Sequence, residues 1–204
     1  MMLASMTLVI ASCDSDQSPN STPVASDPVV VSSLRPRVQF KGQRRWGADL
    51  SQALGLRRHE LCRELSRYDC LDDVHRIALG GVEPYALGID EPLAVLPVTA
   101  AIAVDRVALQ ACMQRVDRDL DPRSDDALIF GALRGGDSPS RRVREDVSAA
   151  LYRRLLSRDA RAEEVAALAD FWTEVEVEGV AEPIREWATM TCFAVASSIE
   201  SLFY

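Results

Sequence analysis

The sequence predicts an all-α fold, and three observations carry that prediction. Apolar residues recur three and four apart through most of the chain beyond residue 47. The segments they mark are bounded by glycine, proline or aspartate. No stretch between them alternates apolar and polar in the manner of a half-buried strand. The expected architecture is a single compact, bundle-like helical domain over residues 39–204, with about six to seven helices, behind a disordered N-terminal tether.

The elements follow in order. Folded structure begins near residues 40–46, and 47–65 reads as a helix with Leu50, Leu54 and Leu61 on one face. Ser66 then offers an N-cap, with Asp69 three residues on, for a second helix over 67–79 that carries Leu71, Val74 and Ala78 and ends at Gly80-Gly81. Residues 82–97, with Pro84, Gly88, Pro92 and Pro97, read as an irregular connection. A long helix over 98–118 has Thr99 as candidate cap, Ile102, Leu109, Cys112 and Val116 as its apolar stripe, and alanines that allow close packing; Asp121-Pro122 stops it. A shorter helix is expected over 125–133. Ser138-Pro139 supplies an N-cap and a first-turn proline for the next helix, with Val143, Val147, Leu151 and Leu155 at helical spacing. Asp159 opens another, with Glu163 and Glu164 near its positive end and Val165, Leu168, Trp172 and Val175 inward; Gly179 breaks it. The last helix is expected over 184–203, with Trp187, Thr191, Cys192 and Val195.

The N-terminus addresses the compartment. Residues 3–11 are uncharged and apolar, too short to span a bilayer but suited to the core of a signal peptide. Ile10-Ala11-Ser12-Cys13 resembles a bacterial lipobox, in which small residues precede a cysteine that is lipidated and becomes N-terminal. No Lys or Arg precedes the apolar run, although export signals normally begin basic. The expected division is a lipoprotein-type signal peptide at 1–12, then lipidated Cys13 with a Ser/Pro/Asp-rich tether to residue 38. That composition lacks the apolar surface to offset its ordering entropy. The expected location is the bacterial cell envelope, lipid-anchored, periplasmic or on the outer surface.

Lipidation of Cys13 also accounts for an odd cysteine count, leaving Cys62, Cys70, Cys112 and Cys192. Four cysteines in an oxidising compartment allow three pairings. Cys62–Cys70 with Cys112–Cys192 is favoured. In one continuous helix Cys62 and Cys70 would lie about 12 Å apart, beyond the roughly 7 Å that a disulfide tolerates, so the first bridge demands a sharp turn at Ser66. Cys112 and Cys192 sit inside helices far apart in sequence, where a bridge would tie packed helices together.

The 204 residues carry a net charge of -8, which argues against nucleic-acid binding, where a basic field supplies most of the affinity. His59-Glu60-Leu61-Cys62-Arg63 begins like a zinc-protease helix, but Arg63 stands where the second histidine must be. Asp72 and His75 have the spacing used in di-iron bundles, but only in one copy. Haem-attachment, phosphate-loop, dinucleotide and nucleophile-elbow motifs are absent from the sequence. Arg141, Arg142 and Arg144 read as a solvated helix face, and Trp172, Trp187, Phe193, Phe203 and Tyr204 as core rather than a ligand groove. No catalytic, cofactor or metal residue is assigned.

Three stretches carry a resemblance. Leu65-Ser66-Arg67-Tyr68-Asp69-Cys70-Leu71-Asp72-Asp73-Val74-His75-Arg76 is similar to the opening of an uncharacterised group of secreted planctomycete and myxobacterial proteins. The run from Leu151 to Asp159, continuing to Glu163-Glu164-Val165, and the tail from Ala196 to Tyr204 resemble two further segments of that group. Members often accompany or carry cytochrome c domains, which implies an envelope redox or polymer-degrading system. This chain has no haem motif, and Cys70 stands where the group has an aromatic residue. The expected function is therefore a non-catalytic interaction or accessory lipoprotein of the cell envelope, bound to the membrane by its anchor and to a protein partner there. A component or enzyme of a secreted redox or polymer-degrading system is the alternative.

Overall fold

The computed structural model describes residues 38–93, 95–135 and 138–204. Cys13, the signal segment and nearly all of the tether expected to residue 38 lie outside these residues. The domain is all-α, with eight α-helices among the described residues: α1 (Gly42–Leu54), α2 (Pro84–Leu87), α3 (Thr99–Leu120), α4 (Arg141–Leu155), α5 (Ala162–Asp170), α6 (Trp172–Glu178), α7 (Pro183–Ala196) and α8 (Ile199–Leu202). α2 and α8 are single turns, so the long helices fall near the number expected.

α3 is the spine. Its alanines at 103, 108 and 111 are buried with Val107 and Val116, and such small side chains let α7 lie close along it. The Cys112–Cys192 disulfide joins the two helices with Cα atoms 5.7 Å apart. In a chain-entropy picture its 80-residue separation makes it worth about 4.5 kcal/mol. α1 packs on both α3 and α4, burying Trp46, Leu50 and Leu54. The tryptophans are tied as well as packed. Trp46 Nε1 donates to Ser201 Oγ at 3.3 Å, and Trp187 Nε1 donates to the Leu168 carbonyl at 2.9 Å. Trp172 meets Trp187 edge to face, with ring centroids 6.4 Å apart.

Several expected boundaries move, each for a visible reason. α1 ends at Leu54 rather than running to residue 65, because Gly55 takes φ 59° and its N–H returns to the Gln52 and Ser51 carbonyls. A Cβ there would lie 2.8 Å from the Leu128 side chain. The helix expected over 67–79 is replaced by a two-residue antiparallel pair, β1 (Arg63–Glu64) with β2 (Tyr68–Asp69), and a π-helical turn, Cys70–Val74. Asp69, not Ser66, is the cap: its Oδ1 accepts from the Leu71 and Asp72 N–H groups at 2.8 Å each. Of that helix's expected stripe, Leu71 is buried but Val74 is exposed.

Farther along, Ile102, expected on the inner stripe of α3, is also exposed, and α4 is capped by Ser140 in place of Ser138. α5 starts at Ala162, where the Glu164 carboxylate accepts the Arg161 N–H at 2.7 Å. The last helix breaks at Ser197, because the Ser197 and Ser198 hydroxyls bond the Phe193 and Val195 carbonyls and Ser198 then caps α8.

The expected helix over 125–133 is also absent, apart from a 3₁₀ turn at Gly131–Leu133. The cause is a buried ion pair. Asp119 and Arg115, one turn apart on α3, have fully buried side chains with Nη2 and Oδ1 at 2.5 Å. The Asp119 carboxylate accepts three backbone N–H groups at 2.8 Å, those of Leu128, Ile129 and Phe130. Those donors are satisfied by a side chain, so the segment wraps around the carboxylate instead of coiling on itself. Arg115 in turn donates to the Leu54 and Asp126 carbonyls at 3.4 and 2.8 Å, and Arg134 donates to the Asp119 carbonyl.

Removing one partner of this pair leaves a charge buried without its counterion. Asp119→Ala is expected to lower stability by about 3–5 kcal/mol, read as a drop in the urea midpoint; a loss under about 1 kcal/mol would contradict the role given to the carboxylate.

A second ionic knot gives a pH dependence. Arg158 donates to Glu164 at 2.7 and 2.8 Å and to Glu200 at 2.6 and 2.8 Å, joining the start of α5 to α8. The hydrogen bond from Arg158 holds the Glu164 carboxyl at about 2, below its ordinary 4.5. Glu60 is likewise held at about 2, first by its hydrogen bond from Arg57 and further by Arg118. Both carboxyls have a lower pKa folded than unfolded, so their stabilisation is present above the unfolded value and lost as pH falls through the folded one. The thermal midpoint should therefore fall between about pH 4.5 and pH 2 on their account. Glu164→Gln should make that fall shallower in a pH series of thermal scans.

Candidate functional site

The region between α1 and α2 departs most from regular structure, and the histidines and acidic residues weighed in the sequence gather there. It is built on a short closed loop. Cys62 and Cys70 are bridged with Cα atoms 5.4 Å apart, and β1 and β2 run antiparallel between them, with Glu64 opposite Tyr68. The reversal required for this bridge is sharper than a helix break. Leu65 and Ser66 take φ of 51° and 56°, and the Arg67 N–H returns to the Glu64 carbonyl at 3.0 Å. Positive φ at both central residues is the pattern that favours Asn-Gly. For L-residues with a Cβ it costs roughly 1–2 kcal/mol per residue. Leu65 nevertheless occupies the first of these positions, and its side chain is 88% exposed.

The base of the hairpin is fastened. Glu64 Oε1 lies 2.9 Å from His75 Nε2 and accepts from Arg106 Nη1 at 3.0 Å. Partial burial works against the Glu64 charge, but the Arg106 and His75 hydrogen bonds outweigh it and leave the carboxyl below its usual range. The Arg63 N–H donates to Gln110 Oε1 at 2.9 Å, so α3 holds the strand from one side. The Asp73 carboxylate accepts the Asp69 N–H at 3.0 Å on the other.

Asp72 and His75 do not converge. The π-helical turn aims Asp72 at α1, where Gln43 donates to Oδ1, and at the 3₁₀ turn Arg58–Glu60 beyond it, where Arg58 donates to both oxygens at 2.9 and 3.0 Å. The hydrogen bonds from Arg58 hold the Asp72 carboxyl below its ordinary value. His75 points to Glu64 instead. A cavity of about 200 Å³ beside Asp72 is walled by Gln43, Arg44, Arg76 and Val82 and does not include His75. His59 is exposed on the rim of a larger cleft of about 660 Å³ beside the hairpin, which Arg63 and Ser66 also line. Another cleft, of about 670 Å³, lies where Lys41 and Arg45 on one side face Arg153 and Arg154 on the other; Asp49 and Glu200 lie among these cations. Among the described residues no group of three or more His, Cys, Asp or Glu side chains is placed to hold a metal ion. Neither histidine is hydrogen-bonded to a Ser, Thr or Cys side chain among the same residues, so no nucleophile–base pair is formed there.

The remaining residues singled out from sequence divide between core and surface. Cys62–Cys70 and Cys112–Cys192 are the pairs that the structure bridges. Trp172 and Trp187 are core, whereas Phe193 and Phe203 are half-buried and Tyr204 is exposed. Arg144 is not a solvated charge: it donates to the Ala169 and Pro139 carbonyls and lies over the Trp172 ring. Arg141 is an exposed partner of Glu145 and Asp170. The sequence places the sharp turn at Ser66 but as a helix break capped by that residue, whereas the structure makes it a hairpin turn through Leu65 and Ser66. The requirement of the Cys62–Cys70 bridge for a reversal was the signal that located it. No family model, curated protein or solved structure matches the chain.

If the turn at Leu65 and Ser66 is strained as its φ angles imply, residues suited to positive φ should relieve it. Leu65→Asn with Ser66→Gly is expected to raise the thermal midpoint by about 2–4 °C, the change that roughly 1 kcal/mol brings in a domain of this size. An unchanged or lower midpoint in calorimetry would show that the turn carries no such cost.

Proposed function

We propose that this chain is an exported bacterial lipoprotein, anchored through Cys13, whose helical domain is a non-catalytic interaction or accessory subunit of the cell envelope. The cysteine account is the observation that carries the reading. Of five cysteines, the two disulfides use Cys62, Cys70, Cys112 and Cys192. Cys13 alone remains, and it stands at the end of the lipobox-like Ile10-Ala11-Ser12-Cys13. Paired disulfides point to an oxidising, non-cytoplasmic compartment, which is where a lipidated cysteine belongs. No helix among the described residues is long and apolar enough to cross a membrane, and a lipid on Cys13 supplies attachment without one. The similarity to secreted planctomycete and myxobacterial proteins belongs to the same proposal and supports export rather than an activity. Support for a binding role comes from the way the histidines and carboxylates are used: Glu64 and Asp72 are committed to Arg106 and Arg58, and Asp119 to Arg115.

Intact-mass spectrometry of the protein extracted from membranes tests the proposal. The expected species begins at Cys13, carries a diacyl or triacyl addition there, and gains four hydrogens on reduction, two per disulfide. Cys13→Ala should leave the protein unlipidated and move it to the soluble fraction. A mature chain beginning elsewhere, or a Cys13→Ala variant that still fractionates with membranes, would overturn the anchor.

A further inference from the structure

The hairpin closed by Cys62–Cys70 displays an apolar side chain on a backbone unsuited to it, and no contact inside the domain accounts for that choice. Leu65 is 88% exposed at φ 51°. A turn serving only to reverse the chain is best filled by Asn-Gly, and strained residues held in place by their surroundings cluster at sites of recognition. The surroundings hold firmly here: the disulfide closes the loop, Glu64 is fixed by His75 and Arg106, and Gln110 binds the Arg63 N–H. A tip fixed before binding loses little freedom on binding.

The charges around it are equally selective. In this chain of net charge -8 the neighbouring arginines face carboxylates: Arg57 and Arg118 face Glu60, Arg58 faces Asp72, and Arg106 faces Glu64. Arg63 and Arg67, on either side of Leu65, are exposed and have no carboxylate partner among the described residues. The Arg67 guanidinium lies over the Tyr68 ring, 5.1 Å from its centroid, which keeps both side chains beside the tip. Ile102, one turn before Arg106 on α3, is also exposed.

We propose that this hairpin is a docking finger for a protein partner: Leu65 enters an apolar pocket on that partner, and Arg63 and Arg67 meet carboxylates on the pocket's rim. A bilayer is the poorer occupant. It has no need of a fixed tip, Leu65 is the finger's one fully displayed apolar side chain, and the net negative charge of the domain opposes approach to anionic lipid. The proposal rests on the reading of the chain as an interaction subunit.

The test uses the full chain in the cells that make it, with the photoreactive p-benzoylphenylalanine replacing Tyr68 and, as a control, replacing exposed Val177 on α6. The expected result is a discrete protein adduct from position 68 and none from position 177. Leu65→Asn with Ser66→Gly should reduce the adduct about tenfold or more, as loss of a buried anchor does. Arg67→Glu should do the same, and Arg67→Lys should retain the adduct. Protein capture alone does not support the finger. An adduct indifferent to Leu65→Asn/Ser66→Gly and to Arg67→Glu, adducts of lipid mass only, or no adduct at position 68 would each overturn it. Intact mass under non-reducing conditions confirms both disulfides in every variant; if the doubly substituted turn fails that check, Arg67→Glu decides. A lipidated chain without the adduct removes the finger and leaves the anchor standing, whereas an unlipidated chain with the adduct does the reverse.

Discussion

The buried pair of Arg115 and Asp119 is the constraint on which the rest of the domain depends. Placing two charges in the interior is unfavourable unless nearly every lone pair and proton finds a partner. The sequence meets that condition by bringing two chain segments, the end of α1 and the loop after α3, to one turn of α3. The Asp119 carboxylate takes the Leu128, Ile129 and Phe130 N–H groups, and Arg115 reaches the end of α1 through the Leu54 carbonyl and the following loop through that of Asp126. Arg115 Nε and Arg134 Nη2 remain buried without a partner among the described residues, which places the limit of this arrangement at the guanidinium edges. Cys112 lies one turn before Arg115 on the same helix, so the bridge to α7 and the ion pair reinforce each other. α3 is thereby fixed to α1, to the loop and to α7 within two turns.

From that fixed helix the hairpin can be held out under strain. Gln110 and Arg106, both on α3, fasten its first strand. Its disulfide closes a loop of only eight residues' separation, worth about 2.5 kcal/mol in a chain-entropy picture. That is comparable with the cost of two L-residues at positive φ. The hairpin is thus close to self-balanced: the bridge offsets the turn, and the core need not contribute. A loop made only for stability would keep the bridge and replace Leu65 and Ser66.

The sequence was informative where one helix face decides the structure and uninformative where a side chain competes with the backbone. α3 was legible to within two residues at either end because its apolar stripe, its alanines and Asp121-Pro122 agree. The two cysteine pairs were the favoured of three possible pairings, and geometry set a condition on the first: Cys62 and Cys70 can meet only across a reversal. The helices expected at 67–79 and 125–133 failed for different reasons. At 67–79 the first residues are taken by the hairpin, and Asp69 caps only a short π-helical turn; at 125–133 the Asp119 carboxylate, six or more residues upstream, takes the Leu128, Ile129 and Phe130 N–H groups. Local propensity cannot register a carboxylate arriving from another element. The reversal was legible at Ser66 from the bridge, but its positive φ at Leu65 and Ser66 was not, because Leu and Ser are not the residues that positive φ selects. The site is hardest to read where the sequence breaks its own local rules.

That last mismatch separates display from stability within the domain. The core elements satisfy themselves: Trp46 and Trp187 donate inward, the ion pair is enclosed, and many arginines outside the core face carboxylates at short range. Exposed ion pairs of that sort contribute little stability each, but they do neutralise the surface locally. Arg63 and Arg67 stand outside this scheme, as do the exposed Arg44, Arg123 and Arg142, but they flank an apolar side chain that the backbone holds at a cost. The hairpin is where exposed cations, an exposed apolar side chain and positive φ coincide, and that coincidence is what the docking proposal rests on. Substitutions at the tip should then leave the α3–α7 core undisturbed, because the hairpin's restraints end at Cys62, Glu64 and Gln110 and do not pass through Arg115.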